Sequence, residues 1–130
     1  MKLPPYADLL GATLEWEDGL PVLAMPFGPA VIGRPGFVLG GAITGLIEMA
    51  ALAALRHQMA GEDGADGNRR VKPINVTIDF MRGGRERLTY AAGTVTRLGN
   101  RIANVEAIAW QESRAKPIAS ARMNYLIARG

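Results

Sequence analysis

The chain has 130 residues, enough for one domain with a substantial core, and it has no cysteine, which excludes disulfides and thiol chemistry. Fifteen Lys and Arg against twelve Asp and Glu give a formal charge of +3, a mild excess that suits a phosphate-bearing ligand. No basic block is interleaved with aromatics, and three Phe, three Tyr and two Trp are too few for base-stacking platforms, so no nucleic-acid partner is expected.

The opening stretch MKLPPYADLL lacks the apolar core of a signal peptide, and a cytoplasmic location is expected. Tyr6, Leu9 and Leu10 fall on one face of a short helical turn after Pro4-Pro5, and Gly11 breaks it. Thr13 to Glu17 alternates as a strand. Asp18-Gly19 is a hairpin signal, and Leu20 to Phe27 returns as a second strand with Pro21 and Pro26 at its margins. Gly28 to Gly36 (GPAVIGRPG) is too rich in Gly and Pro for regular structure. A loop of this kind, leading straight into a helix start with its unpaired N–H groups, is a place for a ligand.

From Gly36 to Met59 the chain reads GFVLGGAITGLIEMAALAALRHQM, and between Phe37 and Leu55 its one charge is Glu48. A run this apolar is either a membrane span or a buried helix. A carboxylate at a span centre costs about 2.5–3.5 kcal/mol even on lenient scales, and everything after Arg69 has the pattern of soluble strands, so a central helix covered by sheet is expected and no membrane. The helix is predicted over Gly40 to Met59, roughly 30 Å long. Gly41, Gly45, Glu48 and Leu52 share one face, with Thr44 beside them. Each glycine costs about 0.5–1 kcal/mol relative to alanine, so the pair implies either close packing or an open cleft next to the carboxylate.

Gly61 to Arg70 is a polar, glycine-rich loop. Four strands follow, Ile74–Phe80, Leu88–Leu98, Ile102–Gln111 and Ile118–Ala128, joined by turns at Arg82–Arg85, Leu98–Arg101 and Glu112–Lys116. Two strands, one long helix and a four-strand meander predict a single α+β domain over 1–130 with an antiparallel sheet of five to six strands wrapped around one long central helix.

GRPGFVLGGAITGLIEMAALAAL and PINVTIDFMRGG resemble the helix and following strand of hotdog-fold acyl-CoA thioesterases of the phenylacetate type. That family carries His-Gly-Gly at the start of its helix and an Asp or Glu seven residues after the second Gly. Here Gly40-Gly41 is followed by Glu48 at that spacing. The resemblance implies a hotdog fold, two subunits joined sheet to sheet in a homodimer, often a dimer of dimers, with the site at the interface and an acyl-CoA as substrate. It implies no cofactor and no metal. Gly40 would give its N–H to the thioester carbonyl, and Glu48 would be nucleophile or general base. Gly41, Gly33, Leu39, Thr44, Gly45 and Pro73 would line the substrate site. Leu39 stands where the family commonly has His, Gly33 where it has Asn, and Pro73 where it often has Ser or Thr. Arg82-Gly83-Gly84 replaces the familiar Arg-Pro-Ala. The alternative reading is therefore a degenerate hotdog dimer that binds acyl-CoA or serves only in assembly.

The chemistry of such a site is straightforward. Attack on a thioester makes an oxyanion, which a free helix-start N–H stabilises with help from the macrodipole. A helical side chain leans toward the N-terminus, so Glu48 is expected to point back toward Gly40, and apolar surroundings would raise its pKa and make it a better base. Arg82, Arg97 and Arg101, near the turns, are candidate partners for coenzyme A phosphates. Other chemistries lack their parts. One His and no Cys make no zinc site, and neither Ser113 nor Ser120 sits in a nucleophile elbow for His57. The acid–His pair of hotdog dehydratases is missing its His at Leu39. His57 suits the helix C-terminus, and Glu48 could instead be a structural carboxylate paired with an Arg across a dimer interface.

Overall fold

A computed structural model of the chain describes residues 1–63 and 69–128. The apolar stretch forms one helix, α2 (Gly40–Asp63), and the alternating segments form one antiparallel sheet of β1 (Thr13–Glu17), β2 (Leu20–Met25), β3 (Arg70–Phe80), β4 (Thr89–Leu98), β5 (Ile102–Trp110) and β6 (Ala119–Ala128). A short helix α1 (Tyr6–Leu10) precedes them and ends at Gly11, which takes the left-handed conformation at φ 68°. The predicted α+β class, the single central helix and the six-strand count agree with this architecture.

Four expectations are corrected. Pro29–Val31 forms a 3-10 turn inside the stretch read as irregular, since proline suits the first position of such a turn. The second strand stops at Met25 rather than Phe27, where Pro26 leaves the ladder. The helix runs past Met59 to Asp63, so the expected Gly61–Arg70 loop is shorter, and its residues 64–68 lie outside the described residues. The largest difference is topological. The last four strands are not a continuous meander, because the sheet order is β1-β2-β4-β5-β6-β3. The chain crosses from β3 on one edge to β4 in the middle, and only β4, β5 and β6 follow one another.

The core lies between α2 and the inner faces of β2, β4, β5 and β6. Leu46, Ile47 and Leu55 are at most 1% exposed, and burial of each such side chain is worth about 1.5–3 kcal/mol. The helix approaches β4 at Gly93, where a Cβ would stand 2.9 Å from the Cα of Ala51. β3 is different. It pairs with β6 on one side only, both its faces are open, and Val76 and Phe80 are 44% and 53% exposed. No described helix is long and apolar enough to cross a membrane.

Candidate active site

The site begins with the turn before α2. Pro35 and Gly36 occupy the centre of a tight turn closed by the Phe37 N–H on the Arg34 carbonyl at 2.9 Å, with Gly36 at φ 82° as a type II turn demands. Ile32 bridges to Val38, and the Leu39 N–H reaches the Val31 carbonyl at 2.7 Å. A Cβ on Gly33 would lie 3.1 Å from the Cα of Leu39, so Gly33 permits this fold-back. Leu39 is the residue before the helix, and its carbonyl accepts from Ala42 and Ile43. The N–H groups of Gly40 and Gly41 have no backbone acceptor among the described residues. Gly40 lines a cavity of about 530 Å³ with Gly33, Leu39, Ile43, Phe80 and Met81.

Arg82 and Gly83 also line this cavity, and they pass into a smaller one of about 180 Å³ that holds Arg85, Arg87 and Lys116. The segment between β3 and β4 carries these arginines, and one side chain fastens it. Gln111 accepts from the Arg85 N–H at 2.9 Å and donates to the Arg85 carbonyl at 3.0 Å and to the buried Thr89 hydroxyl at 3.1 Å. The guanidiniums of Arg34 and Arg85 lie 4.0 and 4.3 Å from the centroid of the Phe37 ring. Arg87 pairs with Glu112. Of these cations, Arg34 and Arg82 line the cavity of Gly40 at the start of α2.

Glu48 is not where the expectation put it. In the single chain it is exposed rather than held in apolar surroundings. It shares its stripe of α2 with Gly41, Thr44, Gly45 and Leu52, while the residues on the other sides of the helix are buried against the sheet. The unbroken helix also places Glu48 eight residues, about 12 Å along the axis, from Gly40, too far for one acyl carbon to touch both within one chain. The carboxylate does act on the sheet beneath it. Tyr125, 2% exposed on β6, has its hydroxyl pushed up to about 12, first by burial and then by the negative charge of Glu48. That hydroxyl donates to the Met123 thioether at 3.4 Å.

The other expected residues divide. The Thr44 hydroxyl donates to the Gly40 carbonyl at 2.9 Å and so braces the first turn. Gly45 opens no cleft, because Tyr6 fills that space and a Cβ there would stand 2.5 Å from its ring. Gly41 is open, with Leu39 at 3.8 Å. Pro73 is exposed on β3 opposite Tyr125, just before the register shift to Asn75, and lines no part of the Gly40 cavity. Of the three arginines, Arg82 lies by Gly40, whereas Arg97 and Arg101 flank the β4–β5 turn at the other end of the sheet. His57 sits near the helix C-terminus, as expected, with its ring 5.4 Å from that of Trp16. Arg85, Arg87 and Lys116 line the smaller cavity and Phe80 the larger, and none of the four is singled out by a sequence motif. The charge run Arg82 to Arg87 was visible, but only strand pairing brings Lys116 to it.

The sequence profile of the thioesterase superfamily matches residues 35–118. No curated protein matches the chain. Among solved structures, a protein from Chromobacterium violaceum is 31% identical over 96% of this chain and 84% of its own, with a TM-score of 0.71. A Bacillus halodurans protein solved with CoA shares 18% identity over 98% of this chain and 80% of its own, with a TM-score of 0.80. A phenylacetic acid degradation-related protein from Ralstonia eutropha shares 21% identity over 97% and 92%, with a TM-score of 0.73. The fold is the hotdog fold of these thioesterase-related structures.

Proposed function

The chain belongs to the thioesterase superfamily, and from that premise we propose that it hydrolyses the thioester of a medium-chain or aromatic acyl-CoA. The observation that carries this reading is the pair of unspent N–H groups at Gly40 and Gly41, at a helix start that lines a cavity large enough for a small acyl group. Gly40 donates to the thioester oxygen as negative charge develops there, aided by the helix dipole. The apolar wall of Leu39, Ile43, Phe80 and Met81 suits an apolar acyl group. The cavity of Arg82, Arg85 and Lys116 suits the phosphates of coenzyme A.

Glu48 completes the site from a second subunit. The open edge of β3 and its exposed Val76 and Phe80 suit pairing with β3 of another copy, which extends the sheet and lays two α2 helices side by side. The uncovered stripe of α2 then faces its symmetry mate, and the Glu48 carboxylate of one chain meets the Gly40 N–H of the other. There it either attacks the acyl carbon and expels the CoA thiolate, leaving an anhydride that water hydrolyses to free the acid and the carboxylate, or it takes a proton from the water that attacks the acyl carbon and passes it to the departing CoA thiolate.

A second reading has its own support. Leu39 and Gly33, beside Gly40, bring no polar side chain, which suits a dimer that binds acyl-CoA without turning it over. A panel of acyl-CoA thioesters read by a thiol-reactive dye separates the two. Hydrolysis by the native protein that drops at least a hundredfold in Glu48→Gln is expected. No turnover on any thioester, with acyl-CoA still bound, would establish the second reading.

A further inference from the structure

A cavity unused by this chemistry lies at the other end of α2. β2 and β4 pair at only three positions, Leu23 with Ala91, Ala24 with Tyr90 and Met25 with Thr89. Beyond them the strands part, and the opening holds a cavity of about 450 Å³. Pro21, Ala54 and Val95 make apolar walls, and His57, Gln58, Thr94 and Glu62 are its polar groups. Its volume falls in the range of small-molecule sites. From Gly40 to Gly61 is about 30 Å along the helix, so this cavity is separate from the thioester site.

Among the described lining residues Glu62 is the one carboxylate. The carbonyl end of α2 is the negative end of the helix dipole. Gln58 donates to one Glu62 carboxylate oxygen at 3.0 Å, and the other oxygen has no partner among the described residues. On the β1–β2 hairpin, Trp16 rests against His57, while Glu17 is taken by Arg114 at 3.5 Å. No Lys or Arg is among the described residues that line the cavity. Arg56, one residue from His57, is directed to the Arg69 carbonyl, and Arg97 lies beyond Val95 after a register shift. Apolar walls disfavour a strongly hydrated metal ion, and the Glu62 carboxylate beside the negative end of the helix dipole disfavours a carboxylate or phosphate. What remains is an apolar body with a single cationic head.

We propose that this cavity is a second binding site, for a small organic ammonium whose alkyl or aryl body packs on Pro21, Ala54 and Val95 and whose head meets Glu62. The His57 ring and Trp16 flank its entrance.

The whole protein is titrated at pH 8 and low salt with 2-phenylethylamine, which is cationic there, and with its isosteres 2-phenylethanol and phenylacetate. Calorimetry gives affinity, and the resonances of His57, the one histidine of the chain, report the place. The amine binds at least tenfold more tightly than the alcohol and shifts His57, and the carboxylate does not bind. Glu62→Gln brings the amine down to the level of the alcohol, and Val95→Trp, which fills the cavity, abolishes binding of both. Glu62 is exposed, so its substitution leaves the fold intact and decides the matter where Val95→Trp fails to fold. The proposal is overturned by absence of amine binding, by equal affinity for the alcohol or carboxylate, or by an undiminished affinity in Glu62→Gln.

Discussion

Glu48 stands on the one stripe of α2 that its own sheet leaves uncovered, and that placement decides what its loss should do. An exposed carboxylate contributes little to the stability of a single chain, so Glu48→Gln should shift unfolding free energy by no more than about 0.5 kcal/mol while removing turnover. Arg85 makes a separable contribution. Arg85→Ala should raise KM for acyl-CoA about tenfold, the equivalent of about 1.4 kcal/mol, leaving kcat and the KM for the matching acyl-pantetheine unchanged. Tyr125 gives a stability prediction with a sign. An unfolded tyrosine ionises near 10, and the folded Tyr125 is pushed up to about 12, so the folded chain holds this proton more tightly. Its contribution, about 2–3 kcal/mol, is complete below pH ~10 and drains away as the pH climbs toward 12. Denaturant midpoints across that window should fall more steeply for the native chain than for Tyr125→Phe, and parallel curves would show the assignment to be wrong. At this scale the common face of Gly41, Gly45, Glu48 and Leu52 was legible because helix periodicity fixes which residues lie together. The exposure of Glu48 was not, because one sequence does not say which stripe the chain's own sheet covers.

Helix and strands meet through glycines whose roles differ. At Gly93 an added methyl meets backbone of α2, which cannot retreat without opening the core, so Gly93→Ala should destabilise by about 1–3 kcal/mol. At Gly45 the obstacle is the half-exposed ring of Tyr6, which can swing aside, and the gain in helix propensity offsets the disturbance, so Gly45→Ala should be near neutral. Thermal unfolding of the two variants checks the contrast. Both glycines look alike in sequence, since each interrupts an apolar run. The strands were legible from their alternation, and the hairpins from Asp18-Gly19 and Gly99-Asn100. The position of β3 was not, because alternation gives a strand its faces but not its neighbour. Its near-unbroken exposure is explained only once it sits alone on an edge. That same crossing from β3 to β4 carries Arg82, Arg85 and Arg87 over the start of α2, which is why the basic cavity was hidden from a reading that took the last four strands as a meander.

For the whole molecule, the proposed dimer would cover both the exposed residues of β3 and the stripe of α2 that carries Glu48. Val76→Lys puts a charge into the proposed contact while leaving the buried core untouched. It should sediment as a folded monomer without thioesterase activity, and an active monomer would rule out a shared site. The direct test mixes two inactive variants. Gly40→Pro removes the donating N–H at a helix position that proline tolerates, and Glu48→Gln removes the acid. If each site takes its N–H from one subunit and its carboxylate from the other, subunit exchange between the two variants rebuilds one intact site per mixed dimer, and activity should return to roughly a quarter of native for random pairing. Activity that stays at the level of the separate variants, with exchange verified by mass, would contradict the account.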